Sequence, residues 1–343
     1  MSDLLAMPLD RLLATHACVG DFFDALGLRV DDGLSPQLPL GEWLDCQPDE
    51  CFFDVGMERG QMLDHIRRLI VEVAAMEKAR QQRVGSLTLI GGRDKAGGAE
   101  DVRLTVGAGE VVCIVGPTGS GKSRLLADIE CLAQGDTPTG RQILLDEQVP
   151  LADYRTALDR KPVAQLSQNM NFVVDMSVGD FITMHARCRQ GEDSAVSPEE
   201  VAERVIACAN ELTGERFSSA VSVTQLSGGQ TRALMIADAA LLSASPVVLI
   251  DEIENAGVDR KRALDLLVNG EKIVFISTHD PLLALRGSRR LVIRNGGIAE
   301  IIATSDKERQ NLAYLESLDA TLMGIRDRLR RGQRIEEDLP WQT

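Results

Sequence analysis

The chain has 343 residues, 44% of them apolar, a length that predicts about two domains because single cores stop growing beyond roughly 250–300 residues. With 52 acidic against 37 basic side chains the formal charge is −15, which argues against nucleic acid as a partner, since phosphate backbones are bound through cations. No stretch reaches the roughly 18 uncharged apolar residues of a membrane span, and Met1–Asp10 lacks the basic and apolar regions of a leader, so a cytoplasmic location is expected.

Residues 1 to about 57 read as short helices interrupted by the Gly- and Pro-containing loop 31–40, where neither residue type continues a helix. The seven cysteines, Cys18, Cys46, Cys51, Cys113, Cys131, Cys188 and Cys208, form no C-x-x-C pair and read as free thiols of a reducing compartment. His16, Cys18, Cys46 and Cys51 are candidate metal ligands, but their spacing matches no standard site and unrelated thiols is the preferred reading. From residue 61 to about 84, Met62, Leu63, Ile66, Leu69, Ile70, Val73 and Met76 recur at three- and four-residue steps, the pattern of an amphipathic helix. Its stripe is expected to pack on the preceding helices, with a partner-binding face as the alternative. Residues 1–84 are thus predicted to be an N-terminal helical domain. The segment His16–Leu28, a helix carrying Phe23 and ending at Gly27-Leu28, resembles the start of a small helical domain found in iron–sulfur repair and related redox proteins. Arg29–Asp32 stands where that domain has cysteines, and Cys18, Cys46 and Cys51 have no metal-type spacing, so residues 1 to about 84 are expected to serve as a docking module without bound metal.

At Ser86 the pattern changes. Ser86–Ile90 reads as a strand, 91–98 as a glycine-rich turn, Val102–Val106 as a second strand, and Val111–Val115 as a buried one. This last run opens into Gly116, Pro117, Thr118, Gly119, Ser120, Gly121, Lys122 and Ser123, the G-x-x-x-x-G-K-S pattern of a phosphate-binding loop. Its glycines let backbone N–H groups face inward, and the following helix points its positive end at phosphate. Lys122 is predicted to meet the β- and γ-phosphates of a nucleoside triphosphate and Ser123 to hold Mg²⁺.

Four further signals follow in order: Gln168 after Val163–Ser167; Leu226, Ser227, Gly228, Gly229 and Gln230; an apolar strand Val247–Ile250 ending in Asp251 and Glu252; and a strand Lys272–Thr278 delivering His279. Together with the phosphate loop they resemble the ATP-binding cassette (ABC) ATPases over about residues 85 to 303. The resemblance implies the Walker A loop at Gly116–Ser123 and a metal- and phosphate-sensing glutamine at Gln168. It further implies a signature at Ser227–Gln230 that closes over the nucleotide of a second subunit, a metal carboxylate at Asp251, a general base at Glu252, a D-loop aspartate at Asp259 and a switch histidine at His279. The chemistry is consistent with those types: phosphoryl transfer needs charge neutralisation by Mg²⁺ and Lys122 and a water oriented by Glu252. One chain carries one loop and one signature, so the resemblance implies a homodimer with two ATP at its interface.

Departures from the family pattern are specific. The loop Ile253–Val258 lacks the usual Pro and is one residue longer, Ala233 and Asp238 replace arginines after the signature, and Leu87–Arg93 offers no aromatic ring for adenine. Ile90 or Arg93 is the expected substitute. Residues 179–225 read as a helical subdomain. Leu312, Leu315, Leu318, Leu322, Ile325 and Leu329 form the stripe of a C-terminal amphipathic helix with a basic end. The expected fold class is α/β: a P-loop NTPase of ABC type with a mainly parallel sheet, an antiparallel β subdomain, a helical subdomain, an N-terminal helical domain and a C-terminal helix. Boundaries fall at 1–84, 85–305 and 306–343. The expected activity is Mg²⁺-dependent ATP hydrolysis that drives either a soluble partner protein, the preferred reading because of the N-terminal domain, or a membrane permease.

Overall fold

The computed structural model describes residues 4–25, 28, 37–47, 61–71, 84–156, 161–167, 172–189, 196–252 and 258–336. The chain divides into two compact units, Met1–Arg83 and Val84–Thr343. In the first, helices Leu9–Thr15, Ala17–Ala25 and Leu40–Cys46 and the helical segment 61–71 surround Leu9, Leu12, Val19, Phe23, Leu40, Trp43, Met62 and Ile66. The rings of Phe23 and Trp43 lie 4.9 Å apart. Met62 and Ile66 thus lead the stripe read from the sequence; its continuation past residue 71 lies outside the described residues, as does Cys51. Cys46 is exposed and Cys18 half-buried, and among the described residues no three His, Cys, Asp or Glu converge as metal ligands.

The second unit holds two sheets. Strands β1 (Ser86–Ile90), β2 (Arg103–Gly107) and β4 (Gln142–Leu145) form an antiparallel sheet in the order β2-β1-β4. Strands β3 (Val111–Val115), β5 (Val163–Leu166), β6 (Val247–Asp251), β7 (Ile273–Ser277), β8 (Arg289–Arg294) and β9 (Gly297–Ala303) form the main sheet, ordered β5-β6-β7-β3-β8-β9. All its pairs are parallel except β8 with β9. Both faces of the sheet are covered at its centre, which explains why β3, β6 and β7 read as apolar runs. Cys113, Val248, Ile250, Val274 and Ile276 face one core with helices Val178–Arg189, Pro198–Leu212, Gly228–Leu241 and Arg260–Asn269. Their neighbours Val112, Ile114, Val247, Leu249, Ile273 and Phe275 face the other, shared with the antiparallel sheet and the helix Lys122–Glu130.

The C-terminal helix runs from Asp306 to Arg330. Ion pairs Glu308–Arg290 and Glu316–Arg286 and the pair Asp319–Arg260 tie its first half to the rest of this unit. The stripe read from the sequence is half-buried at Leu312, Leu315 and Leu318 but exposed at Leu322 and Leu329. Among the described residues no helix is long and apolar enough to cross a membrane.

Candidate functional site

The parallel register builds the site. β3, β7 and β6 are neighbours, with Ile114 beside Ser277 and Asp251 beside Ser277. The segments leaving their carboxyl ends therefore emerge side by side, where ligands of open α/β sheets bind. The phosphate loop leaves β3, His279 follows β7, and Asp251 ends β6.

The loop fits a backbone that side chains would obstruct. A Cβ on Gly116 would stand 2.5 Å from the Ile293 carbonyl oxygen, and one on Gly121, at φ 112°, 2.9 Å from Gly296 Cα. Gly121 is the N-cap of the helix Lys122–Glu130 and has no side chain to close its first turn, which leaves amides free for an anion. Thr118 and Gly119 are exposed, whereas the Ser120 hydroxyl is buried without a protein partner.

Lys122 is only 7% exposed. Its ammonium group donates to the carbonyls of Gly116 (2.9 Å) and Pro117 (3.3 Å) and stands 3.0 Å from His279 Nε2. A charged lysine has no acceptor, so Nε2 accepts this bond, and a phosphate entering the loop must replace one of the three. His279 Nε2 is also 3.9 Å from Glu252 Oε1. Glu252 adopts φ 52°, with its N–H donating to the Ser277 carbonyl at 3.0 Å. A left-handed non-glycine residue costs about 1–3 kcal/mol and marks sites where the surroundings over-determine it. Here it sits directly after Asp251, whose Oδ2 accepts from the Ser123 hydroxyl at 3.4 Å. Lys122, Ser123, Asp251, Glu252 and His279 therefore converge from three strands.

The other predicted positions have separate places. Ser227 and Gln230 form a capping box on the helix Gly228–Leu241: the Ser227 hydroxyl accepts from the Gln230 amide and the Gln230 side chain accepts from the Ser227 amide. Such a cap is worth about 0.5–2 kcal/mol. Ser227 and Gly228 remain exposed, and a Cβ on Gly228 would meet nothing within 4 Å. Asp259 caps the helix Arg260–Asn269, accepting from the amides of Lys261 and Arg262 at 3.1 Å each. Gln168 and the segment 253–257 lie outside the described residues.

A family model described as "ABC transporter" matches residues 99–255. Uncharacterized ABC transporter ATP-binding protein MJ0121 of Methanocaldococcus jannaschii is 48% identical over 256 residues, 74% of this chain and 96% of that protein. The chain belongs to the ABC transporter ATP-binding family. The cassette also aligns with the pyoverdine export ATP-binding/permease protein PvdT of Pseudomonas fluorescens, at 32% identity over 67% of this chain, but spans only 35% of that longer protein. A solved ATP-binding subunit of an ABC transporter superposes with TM-score 0.50 at 19% identity, over 66% of this chain and 92% of that one, and so shares the fold.

The departures acquire physical explanations in this cassette. Asp238 accepts from His185 Nδ1 at 2.6 Å, and Arg189 Nε donates to His185 Nε2 at 3.3 Å, so an acidic residue in the helix Gly228–Leu241 finds its partner on the helix Val178–Arg189. Ala233 is fully buried. In the strand that lacks an aromatic ring, Leu87 and Leu89 point into the core, Ile90 is half-buried and Arg93 exposed. It is Lys95, which the sequence pattern did not single out, that reaches the phosphate loop, donating to the Gly119 carbonyl at 2.9 Å. A lone lysine in a glycine-rich turn carries no motif, so no sequence signal could have found it.

The loop is braced from behind by a buried ionic group. Arg141, 0% exposed, donates to Glu100 (2.9 and 2.6 Å), to Asp128 (2.9 Å) and to the Gly296 carbonyl (2.8 Å). Gly296 in turn donates to the Ser120 carbonyl at 2.7 Å. Burial pushes the Glu100 carboxyl up, but the bonds from Arg141 and from the Gly92 and Ile298 amides together hold it below its ordinary value.

Proposed function

We propose that this chain binds ATP with Mg²⁺ and hydrolyses it as a homodimer, each protomer's Ser227–Gln230, exposed at Ser227 and Gly228, completing the other's site. The observation that carries the reading is the chain Lys122–His279–Glu252, at 3.0 and 3.9 Å, beside the Ser123–Asp251 pair. That pair offers a hydroxyl and a carboxylate oxygen, hard donors suited to Mg²⁺, which takes its remaining ligands from phosphates and water; bound there, the ion neutralises phosphate charge. Gln168 is the proposed third metal-side residue. Lys122 exchanges its bond to His279 for a phosphate oxygen, Glu252 orients and deprotonates the attacking water, and His279, released from Lys122 and with the proton on Nε2, donates to the γ-phosphate. The amino end of the helix Gly228–Leu241, capped by Ser227 yet exposed at Ser227 and Gly228, is the type of site that takes phosphate across an interface, and Asp259 belongs to the same proposed interface.

The partner that receives the work is a membrane permease, with the cassette on the cytoplasmic side. The sequence alone favoured a soluble client, but the names of the relatives, a transporter ATP-binding protein and an export ATP-binding/permease protein, support the permease. So does an apolar surface on the helical side. Val173 is 93% exposed, Val174 and Met184 are also exposed, and Phe172 packs edge-on against Phe181 at 5.0 Å, one turn before Met184. The separately cored unit Met1–Arg83 favours a second reading in which that unit docks a soluble client.

Glu252→Gln tests the catalytic reading. It is expected to bind ATP with unchanged affinity, to lose turnover about 10²–10⁴-fold, the usual worth of a positioned base, and to accumulate as a dimer with ATP in light scattering. Near wild-type hydrolysis would remove Glu252 from its role. Cross-linking at Val173→Cys in membranes decides the partner: an integral membrane protein supports the permease, a soluble one the client.

A further inference from the structure

Arg260 joins three parts of the cassette that the motif positions leave separate. It follows Asp259 and opens the helix Arg260–Asn269. One arm of its guanidinium pairs with Asp280, the residue directly after His279. The other donates to Asp319 Oδ2 at 2.9 Å, on the C-terminal helix Asp306–Arg330. The Arg260 side chain is 21% exposed, that of Asp280 9% and that of Asp319 32%, so the node is partly withdrawn from water, where charge-assisted bonds gain strength.

Asp280 is held on every side. Its N–H donates to the Thr278 hydroxyl at 2.9 Å, and its Oδ1 accepts from the Leu282 amide at 2.8 Å, capping the helix Pro281–Arg286. Its Oδ2 is left for Arg260. The peptide carrying His279 is thereby fixed through its neighbour, and His279 Nε2 sits 3.0 Å from Lys122 Nζ and 3.9 Å from Glu252 Oε1. A shift of under about 1 Å at a catalytic group is enough to lower turnover about 10²-fold. Two carboxylates share one guanidinium, so a change at Asp319 alters how tightly Arg260 holds Asp280. The helix itself does not depend on Asp319 for its position, because Glu308–Arg290 and Glu316–Arg286 hold the same segment.

We propose that Arg260 is a positioning residue for His279, and that the C-terminal helix acts on ATP turnover through Asp319 and Arg260. The proposal rests on the reading of His279 as the γ-phosphate switch. It makes the helix Asp306–Arg330 a lever on the site: whatever binds or displaces it changes turnover and leaves the phosphate contacts of Gly116–Ser123 alone.

The test is steady-state ATPase kinetics with nucleotide-binding titrations and thermal melting, on the full chain. Asp319→Asn, at the most exposed member of the node, is expected to lower kcat about three- to tenfold with KM for ATP and melting temperature unchanged. Arg260→Met is expected to lower kcat further, and Arg260→Lys to recover part of the loss, since an ammonium reaches one carboxylate but lacks the two-sided fork. Unchanged kcat in Asp319→Asn and Arg260→Met while His279→Ala is inactive would overturn the proposal and leave the switch reading standing. An active His279→Ala would overturn both. A loss that appears in KM and melting temperature instead of kcat would reduce Arg260 to a stabilising residue.

Discussion

Replacing Arg141 with Met removes the cation shared by Glu100 and Asp128, whose side chains are only 2% and 1% exposed. Both carboxylates then lie buried without it, and breaking a buried pair by deleting one partner costs about 3–5 kcal/mol. At 2–4 °C per kcal/mol for a unit of this size, the melting temperature should fall by roughly 6–20 °C. The sign with pH follows from the two states of Glu100. In the native protein its folded pKa is depressed, so its contribution is present above the unfolded value of about 4.3 and is lost as pH falls through the folded pKa. In Arg141→Met desolvation acts unopposed by the guanidinium and raises the carboxyl pKa, so the penalty is relieved by protonation as pH falls from 7 toward the unfolded value. The deficit between the two proteins should therefore shrink on acidification. Calorimetry at pH 7 and pH 5 measures it, and a triple variant Glu100→Gln, Asp128→Asn, Arg141→Met should regain part of the loss. A deficit below about 2 °C at pH 7, or one that grows on acidification, would refute the account.

Lys122→Ala should lose ATP binding itself, as it removes the charge that the loop directs at phosphate; binding within twofold of wild type by titration would contradict this. With Leu87 and Leu89 turned inward and no ring on that strand, ATP over GTP selectivity should be modest, since stacking is worth about 1–3 kcal/mol per base; a preference above about a hundredfold in competition binding would require a ring from elsewhere. Deleting residues 1–83 should leave ATP binding and ATP-driven dimerisation intact, because the phosphate loop, Ser227–Gln230, Asp251, Glu252 and His279 all belong to the unit Val84–Thr343; a truncated chain that no longer binds ATP would sink it.

The sequence by itself determined the elements whose chemistry is local. The phosphate loop is legible because eight consecutive residues must supply glycine backbone, lysine and serine in one order, and β3, β6 and β7 because burial on both faces demands apolar runs, whereas β8 and β9, which carry Arg289, Arg290, Arg294 and Glu300, were not read as strands. Ser227 and Gln230 were visible as a signature, although their mutual capping of the helix Gly228–Leu241 emerged only from the fold. What only the tertiary structure decided are contacts between residues far apart in the chain. Lys122 meets His279 because β3 and β7 are parallel neighbours in register, Arg141 gathers Glu100, Asp128 and Gly296 from separate elements, and Arg260 spans the switch and the C-terminal helix. No periodicity or spacing encodes such pairs, because a single Arg, Lys or Asp acquires its partner from strand order and burial, and those are set by the whole core at once.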